Sequence, residues 1–268
     1  MKHFISILIM LFATVQGKSI KSTICLMLLL SISLNMRSQC AGEEKLTYGG
    51  EWGQVFYDYT FFCPAYKFAF NGDTAKQWST LNNNDIYKIK DEIFPVKAKL
   101  EAQILNYAGK EFFNDLVFVS VEVVFLDSIE KFSRNPPRVI MDKCRAKYVF
   151  GYKFIPIENV HYNIGIAVNE QGEILNKLDF PAKKDYKKID KKMTVCKVLE
   201  IAKRYAEQIE PIESIKLHYN EKEKKFYWLV KQGLKEKKEG IYFLNELLID
   251  ASNKKRIQIK QSDSFTMW

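Results

Sequence analysis

The chain has 268 residues, 47% of them hydrophobic and 14% aromatic, with 41 Lys/Arg against 32 Asp/Glu for a net charge of +9. That much apolar material supports one large core or two modest ones, and dense aromatics with mixed charge exclude a disordered chain. No HExxH, GxSxG or glycine-rich phosphate loop occurs, so the familiar hydrolase, metalloprotease and nucleotide-binding signatures are excluded as well.

The first forty residues carry Lys2, Lys18, Lys21 and Arg37 and no Asp or Glu. They contain two apolar runs, FISILIMLFATV (Phe4–Val15) and ICLMLLLSISL (Ile24–Leu34). Each falls short of the ~20 residues a membrane-spanning helix needs, and Lys18 and Lys21 keep them from merging. The second run has a basic flank before it and small polar residues after it, the build of a secretory signal peptide over 1–40. The doubled run also fits a start codon downstream of Met1. Two fates for the junction stay open. One is cleavage after Cys40. The other is lipidation of Cys40 and membrane association through the lipid, since Ala41-Gly42-Glu43-Glu44 resembles the acidic stretch after the lipidated cysteine of some surface-exported lipoproteins. Either way the expected location is extracytoplasmic: periplasmic, outer-membrane-associated or secreted.

The N-terminal unit is expected over 41–180. VFYDYTFF (Val55–Phe62) and YKFAF (Tyr66–Phe70) read as aromatic strands, with Asn71-Gly72 as a turn. Asp85 suits the cap of a short helix at Ile86. PVKAKLEAQILNYAG (Pro95–Gly109) reads as a helix with Val96, Leu100, Ile104, Tyr107 and Ala108 on one face. Four strands should follow: Asp115–Leu126, Arg145–Ile157, Val160–Val168 and Gly172–Phe180. Asn135-Pro136-Pro137 reads as a loop between the first two. Glu122, between apolar neighbours in SVEVVF, is explained by a wet sheet face.

PAKKDYKKIDKK then forms a Lys-rich linker, 181–193, before a second unit over 194–268. Thr194 caps a helix running to Ile209, with Val195, Val198, Leu199, Ala202, Tyr205, Ala206 and Ile209 on its apolar face. Strands follow at Glu213–Tyr219, Lys225–Gln232, Ile241–Asp250 and Arg256–Lys260, alternating as a sheet with one dry and one wet face does. The predicted fold class is therefore α+β: two tandem units of a helix plus a four-stranded antiparallel sheet. The segments Tyr162–Asn169 and Tyr242–Asp250 repeat one pattern, which points to a duplication.

VLEIAKRY (Val198–Tyr205), ESIKLHY, KFYWLVK and LLIDASNKKRI (Leu247–Ile257) resemble the PepSY domain, with Asp250-Ala251 at the family's acid-Ala step and Ser252-Asn253 after it. The resemblance covers about Thr194–Lys260. It implies an extracytoplasmic, cystatin-like α+β module of a kind found in bacterial exported proteins and in protease propeptides. A non-catalytic binding role follows, protease-inhibitory or chaperone-like, with a protease or envelope component as partner. An envelope scaffold or lipoprotein is the alternative, and an enzyme of unrecognised type a third. Asp250 and Ala251 themselves read as a turn motif, the Asp accepting turn N–H groups.

Charge is uneven: 16 Lys/Arg against 19 Asp/Glu over 41–180, and 21 against 13 over 181–268. Such runs are mostly solvated, and one that binds could meet nucleic acid, anionic lipid or an acidic partner. No nucleic-acid motif accompanies them, and a signal peptide argues against DNA. Past residue 40 stand Cys63, Cys144 and Cys196, without CxxC spacing. They could form one disulfide of open pairing or remain buried thiols. His161 and His218 each precede a Tyr in a strand and read as surface histidines. No catalytic residue, metal ligand or cofactor is expected. Trp52, Phe226 and Trp228 are the residues proposed for a binding surface.

Overall fold

The computed structural model describes residues 43–50, 52–60, 63–75, 77–126, 144–238 and 241–265. The leader with Cys40, the Asn135–Pro137 loop and Trp268 lie outside them. The architecture is α+β, with two mainly antiparallel sheets of five strands each among the described residues. No described helix is long and apolar enough to cross a membrane.

Where strand propensity suggests β-structure over 55–62, the chain forms helix α1 (Trp52–Thr60). Trp52, Val55, Phe56 and Tyr59 fall at the i, i+3, i+4, i+7 spacing of a helical stripe, and that period outweighs the β preference of the aromatics. Strand β1 (Ala65–Ala69) follows, then β2 (Asn84–Asp85), which pairs parallel to it. The Asp85 side chain accepts from Tyr87 N–H, capping the 3₁₀ turn Ile86–Ile89 as its sequence predicts. Helix α2 runs Lys90–Ala108, starting before Pro95 and ending at Gly109. Its buried face is Ile93, Leu100, Ile104 and Ala108, whereas Tyr107 stays largely exposed. After the short helix α3 (Lys110–Phe113) come β3 (Leu116–Val124), β4 (Tyr148–Ile157) and β5 (Val160–Val168). The first sheet has the order β2-β1-β3-β4-β5, so β1 supplies the strand that 172–180 was expected to form.

That segment does not pair as a strand. It makes one antiparallel bridge, Ile174 with Val168, and Leu175 N–H donates to Ala167 O; beyond it Asn176 takes over, with Ala167 N–H donating to its Oδ1 at 2.8 Å and its Nδ2 donating to Gly165 O at 3.1 Å. The linker is also tied down. Lys183 N–H donates to Tyr107 O, Asp190 N–H donates to Ala251 O, and Ile189 and Met193 are buried.

The second half keeps the expected order. Helix α4 (Val195–Ala202) is capped by the Thr194 side chain, and a 3₁₀ turn separates it from α5 (Ala206–Ile209). Strands β6 (Ile212–Asn220), β7 (Lys225–Gln232), β8 (Lys235–Lys238), β9 (Ile241–Asp250) and β10 (Ile257–Phe265) follow. The meander is β6-β7-β9-β10, and β8, inside the expected 232–240 turn, adds a fifth strand against β9. Strand β6 alternates buried and open positions as predicted. Strand β7 does not: Tyr227 and Leu229 are buried on one face and Trp228 and Val230 on the other.

From Glu44 on, the chain coheres as one compact unit. Two features join its halves. Leu46 pairs parallel with Ile215 of β6, and Gly49 pairs parallel with Tyr162 of β5. Thr47 N–H donates to Ile215 O at 2.8 Å and Asn163 N–H donates to Gly49 O at 2.8 Å, so residues 46–49 close the gap between the sheets. A Cβ on Gly49 would fall 1.8 Å from the Leu217 carbonyl oxygen, so a side chain there is excluded. The second feature is an aromatic stack. Phe112 lies 4.3 Å from Phe154 and 5.0 Å from Phe180, and Phe154 lies 5.2 Å from Phe226, all near parallel. One core thus draws on α3, β4, the segment before the linker and β7.

Candidate functional site

The two faces of the first sheet differ. One carries Phe68, Val121, Phe150, Ile164 and Ile166, all fully buried. The other carries smaller or polar residues: Lys67 on β1, Ser120 and Glu122 on β3, Val149 and Gly151 on β4, Gly165 and Ala167 on β5. Helix α1 lies on this second face, with Val55, Phe56 and Tyr59 against Ala146, Val149 and Ala167. Gly151 and Gly165 are register partners, and a Cβ on either would strike Trp52 or Val55. The small side chains let the helix approach, and the helix ends over β1 and β3.

There a cleft of about 510 Å³ opens. Phe56, Tyr57 and Thr60 of α1 form one wall, the Thr80–Asn83 segment another, and Lys67 and Glu122 the floor. The Cys63–Cys144 disulfide, with its Cα atoms 5.8 Å apart, borders it through Cys63. Of the three cysteines beyond residue 40, whose pairing the sequence leaves open, Cys63 and Cys144 are joined.

Lys67 and Glu122 stand opposite each other in register between β1 and β3. The Lys67 ammonium lies 5.3 Å above the Trp52 ring and 5.9 Å from Phe56, within cation–π range. Thr60 Oγ1 lies 2.7 Å from Phe56 O and 2.5 Å from Glu122 Oε2. Burial pushes the Glu122 carboxyl above its ordinary value, outweighing the downward pull of the Thr60 hydroxyl and the Lys67 charge. The face holding Glu122 is therefore no wet face, and the residue is the most chemically loaded group of the cleft. Its sequence signal was its place in an apolar strand; the helix covering it came from a segment that reads as a strand.

The residues proposed for a binding surface do not form one. Trp228 has no exposed surface and Phe226 is 4% exposed, both held in the core. Trp52 is half-buried on the Gly151 backbone, beneath Lys67. Asp250, 1% exposed, accepts from the Ser252 backbone N–H at 2.9 Å and from its hydroxyl at 2.6 Å, while Lys225 Nζ stands 3.8 Å away. Ala251 is fully buried and its N–H donates to Phe226 O. The acid-Ala step is thus a buried turn, with Asp250 satisfying local donors. His161 stacks on Tyr48 at 3.7 Å, and burial, then Lys153, lowers its pKa to about 4. His218 on β6 is lowered as well, chiefly by burial. Among the described residues no group of three or more His, Cys, Asp or Glu could hold a metal ion.

Comparison with family models, with curated proteins and with solved structures gives no match for this chain.

Proposed function

We propose that this chain is a non-catalytic binding module that works outside the cytoplasm and recognises an acidic partner polypeptide through the cleft at the end of α1. The observation carrying this reading is the cleft itself, whose size falls in the range of specific recognition sites and whose floor holds an opposed Lys67 and Glu122. Tyr57, 51% exposed, and Leu81, 93% exposed, stand at its rim, where apolar contact with a partner segment costs little reorganisation. Lys67 on the cleft floor supplies the positive charge that an acidic partner side chain would meet. The signal-peptide pattern and the Cys63–Cys144 disulfide support export, since such bonds persist in oxidising compartments.

The PepSY resemblance supports the same role. Both halves place a helix ahead of an antiparallel meander, α2 before β3-β4-β5 and α4-α5 before β6-β7-β9-β10. Tyr162–Asn169 and Tyr242–Asp250 then fall on or along the third strand of each, which supports the duplication. A photo-crosslinking residue placed at Leu81, compared with one at exposed Glu213, tests the reading in an extracytoplasmic extract. A discrete acidic protein crosslinked from Leu81, lost in Tyr57→Ala, is the expected result. Identical products from both positions would overturn the cleft as the recognition site.

A further inference from the structure

The cleft contains more hydrogen-bond distances than its evident protons can serve. Thr60 Oγ1 is within hydrogen-bonding range of the Phe56 carbonyl and of Glu122 Oε2, at 2.7 and 2.5 Å. A threonine hydroxyl carries one proton, and both oxygens facing it are acceptors if Glu122 is ionised. An ionised Glu122 leaves the one Thr60 proton shared between two acceptors, whereas a neutral Glu122 serves both contacts: its O–H donates to Thr60 Oγ1, and Thr60 donates to Phe56 O.

The consequence concerns the charge of the cleft. Among the described residues lining it, Lys67 and Glu122 carry the ionisable charge. Glu122 stands in register between Lys67 of β1 and Val149 of β4 and meets Thr60 of α1, while Tyr57, Asn82 and Asn83 line the same cleft. With Glu122 neutral, Lys67 is the one remaining charge among the described residues lining the cleft. With Glu122 ionised, Lys67 has an internal counter-ion and the floor is neutral.

We propose that the cleft takes up the carboxylate of an acidic side chain of its partner, with Lys67 as counter-ion and Glu122 held in its neutral form. This rests on the reading of the cleft as the recognition site. Binding is then coupled to proton uptake: the higher the pH, the more Glu122 competes with the incoming carboxylate for Lys67. The Phe56 and Tyr57 rings would receive an apolar neighbour of that carboxylate.

Calorimetric titration of the full chain with the blocked dipeptide acetyl-Phe-Glu-amide, and with acetyl-Phe-Gln-amide as neutral control, tests this. The acidic probe is expected to saturate, to bind about tenfold more weakly at pH 8 than at pH 5, and to fail against Lys67→Gln. Glu122→Gln, a permanent mimic of the neutral form, is expected to lose the pH dependence. Equal binding of both probes, or a pH dependence that survives in Glu122→Gln, would overturn the proposal. So would the absence of acidic-probe binding at either pH, while the Leu81 crosslink still judges the cleft independently. Infrared difference spectroscopy reads the proton directly without a variant having to bind. A protonated-carboxyl band that persists above the ordinary carboxylate range and vanishes in Glu122→Gln is expected, and its absence from the wild type overturns the assignment.

Discussion

Trp52 lies on Gly151 so closely that a Cβ built on the glycine would come 2.4 Å from Cζ2 of the indole. The contact seats α1 on the first sheet and thereby fixes the wall of the cleft. Gly151→Ala should lift the helix and cost about 1–3 kcal/mol, the range for overpacking a filled site. Chemical denaturation measures the loss. Hydrogen exchange should show faster opening confined to Trp52–Thr60, and an unchanged exchange pattern there would mean that the indole simply moves aside.

Glu122 and His161 should shape the pH profile in opposite senses. The folded-state pKa of Glu122 is raised, so its stabilising contribution is full below the unfolded value of 4.5 and is lost as pH rises through the folded one. Glu122→Gln should therefore raise the melting temperature near neutral pH and bring no gain in acid. For His161 the folded pKa is lowered to about 4 from 6.5, so its contribution is present above 6.5 and drains away as pH falls toward 4. His161→Phe, which keeps a ring on Tyr48, should flatten that acid limb. Melting curves across this pH range check both signs.

The Cys63–Cys144 bond closes a loop with a sequence separation of 81. On the chain-entropy model such a loop contributes about 4–5 kcal/mol, acting mainly on the unfolded state. The Cys63→Ser, Cys144→Ser double variant should lose a large part of that in a denaturant titration. Because Cys63 borders the cleft, binding of the acidic probe by the folded fraction should weaken as well.

Phe226 is where the second half enters the common aromatic core, 5.2 Å from Phe154 and 5.3 Å from Tyr162. Phe226→Ala should cost about 3–5 kcal/mol, as expected for a truncated buried aromatic. If the halves share one core, near-ultraviolet circular dichroism and far-ultraviolet circular dichroism should report a single coincident transition for the wild type. Two separated transitions would show that they unfold independently.

Much of the fold was legible where one period dominates. The alternation of β6, the Thr194 and Asp85 caps and the order of the β6-β7-β9-β10 meander follow from local rules, because each needs only neighbours along the chain. Helix α1 was misread because its aromatic composition suits a strand while its spacing suits a helix, and only the sheet beneath settles that competition. Gly172–Phe180 was misread for a related reason: Asn176 satisfies the β5 edge with a side chain, which no alternation pattern encodes.

The sequence by itself determined the class of the molecule and the outline of its second half, since hydrophobic period, caps and turns act over a few residues. Tertiary structure alone decided what those elements do together. It put Trp228 and Phe226 inside, turned Asp250 into a turn anchor and placed residues 46–49 between two sheets. It also set Lys67 opposite Glu122 under the end of α1. The physical reason is that desolvation and shared protons depend on what covers a residue, and the covering elements here come from positions more than sixty residues away, as Thr60 does for Glu122.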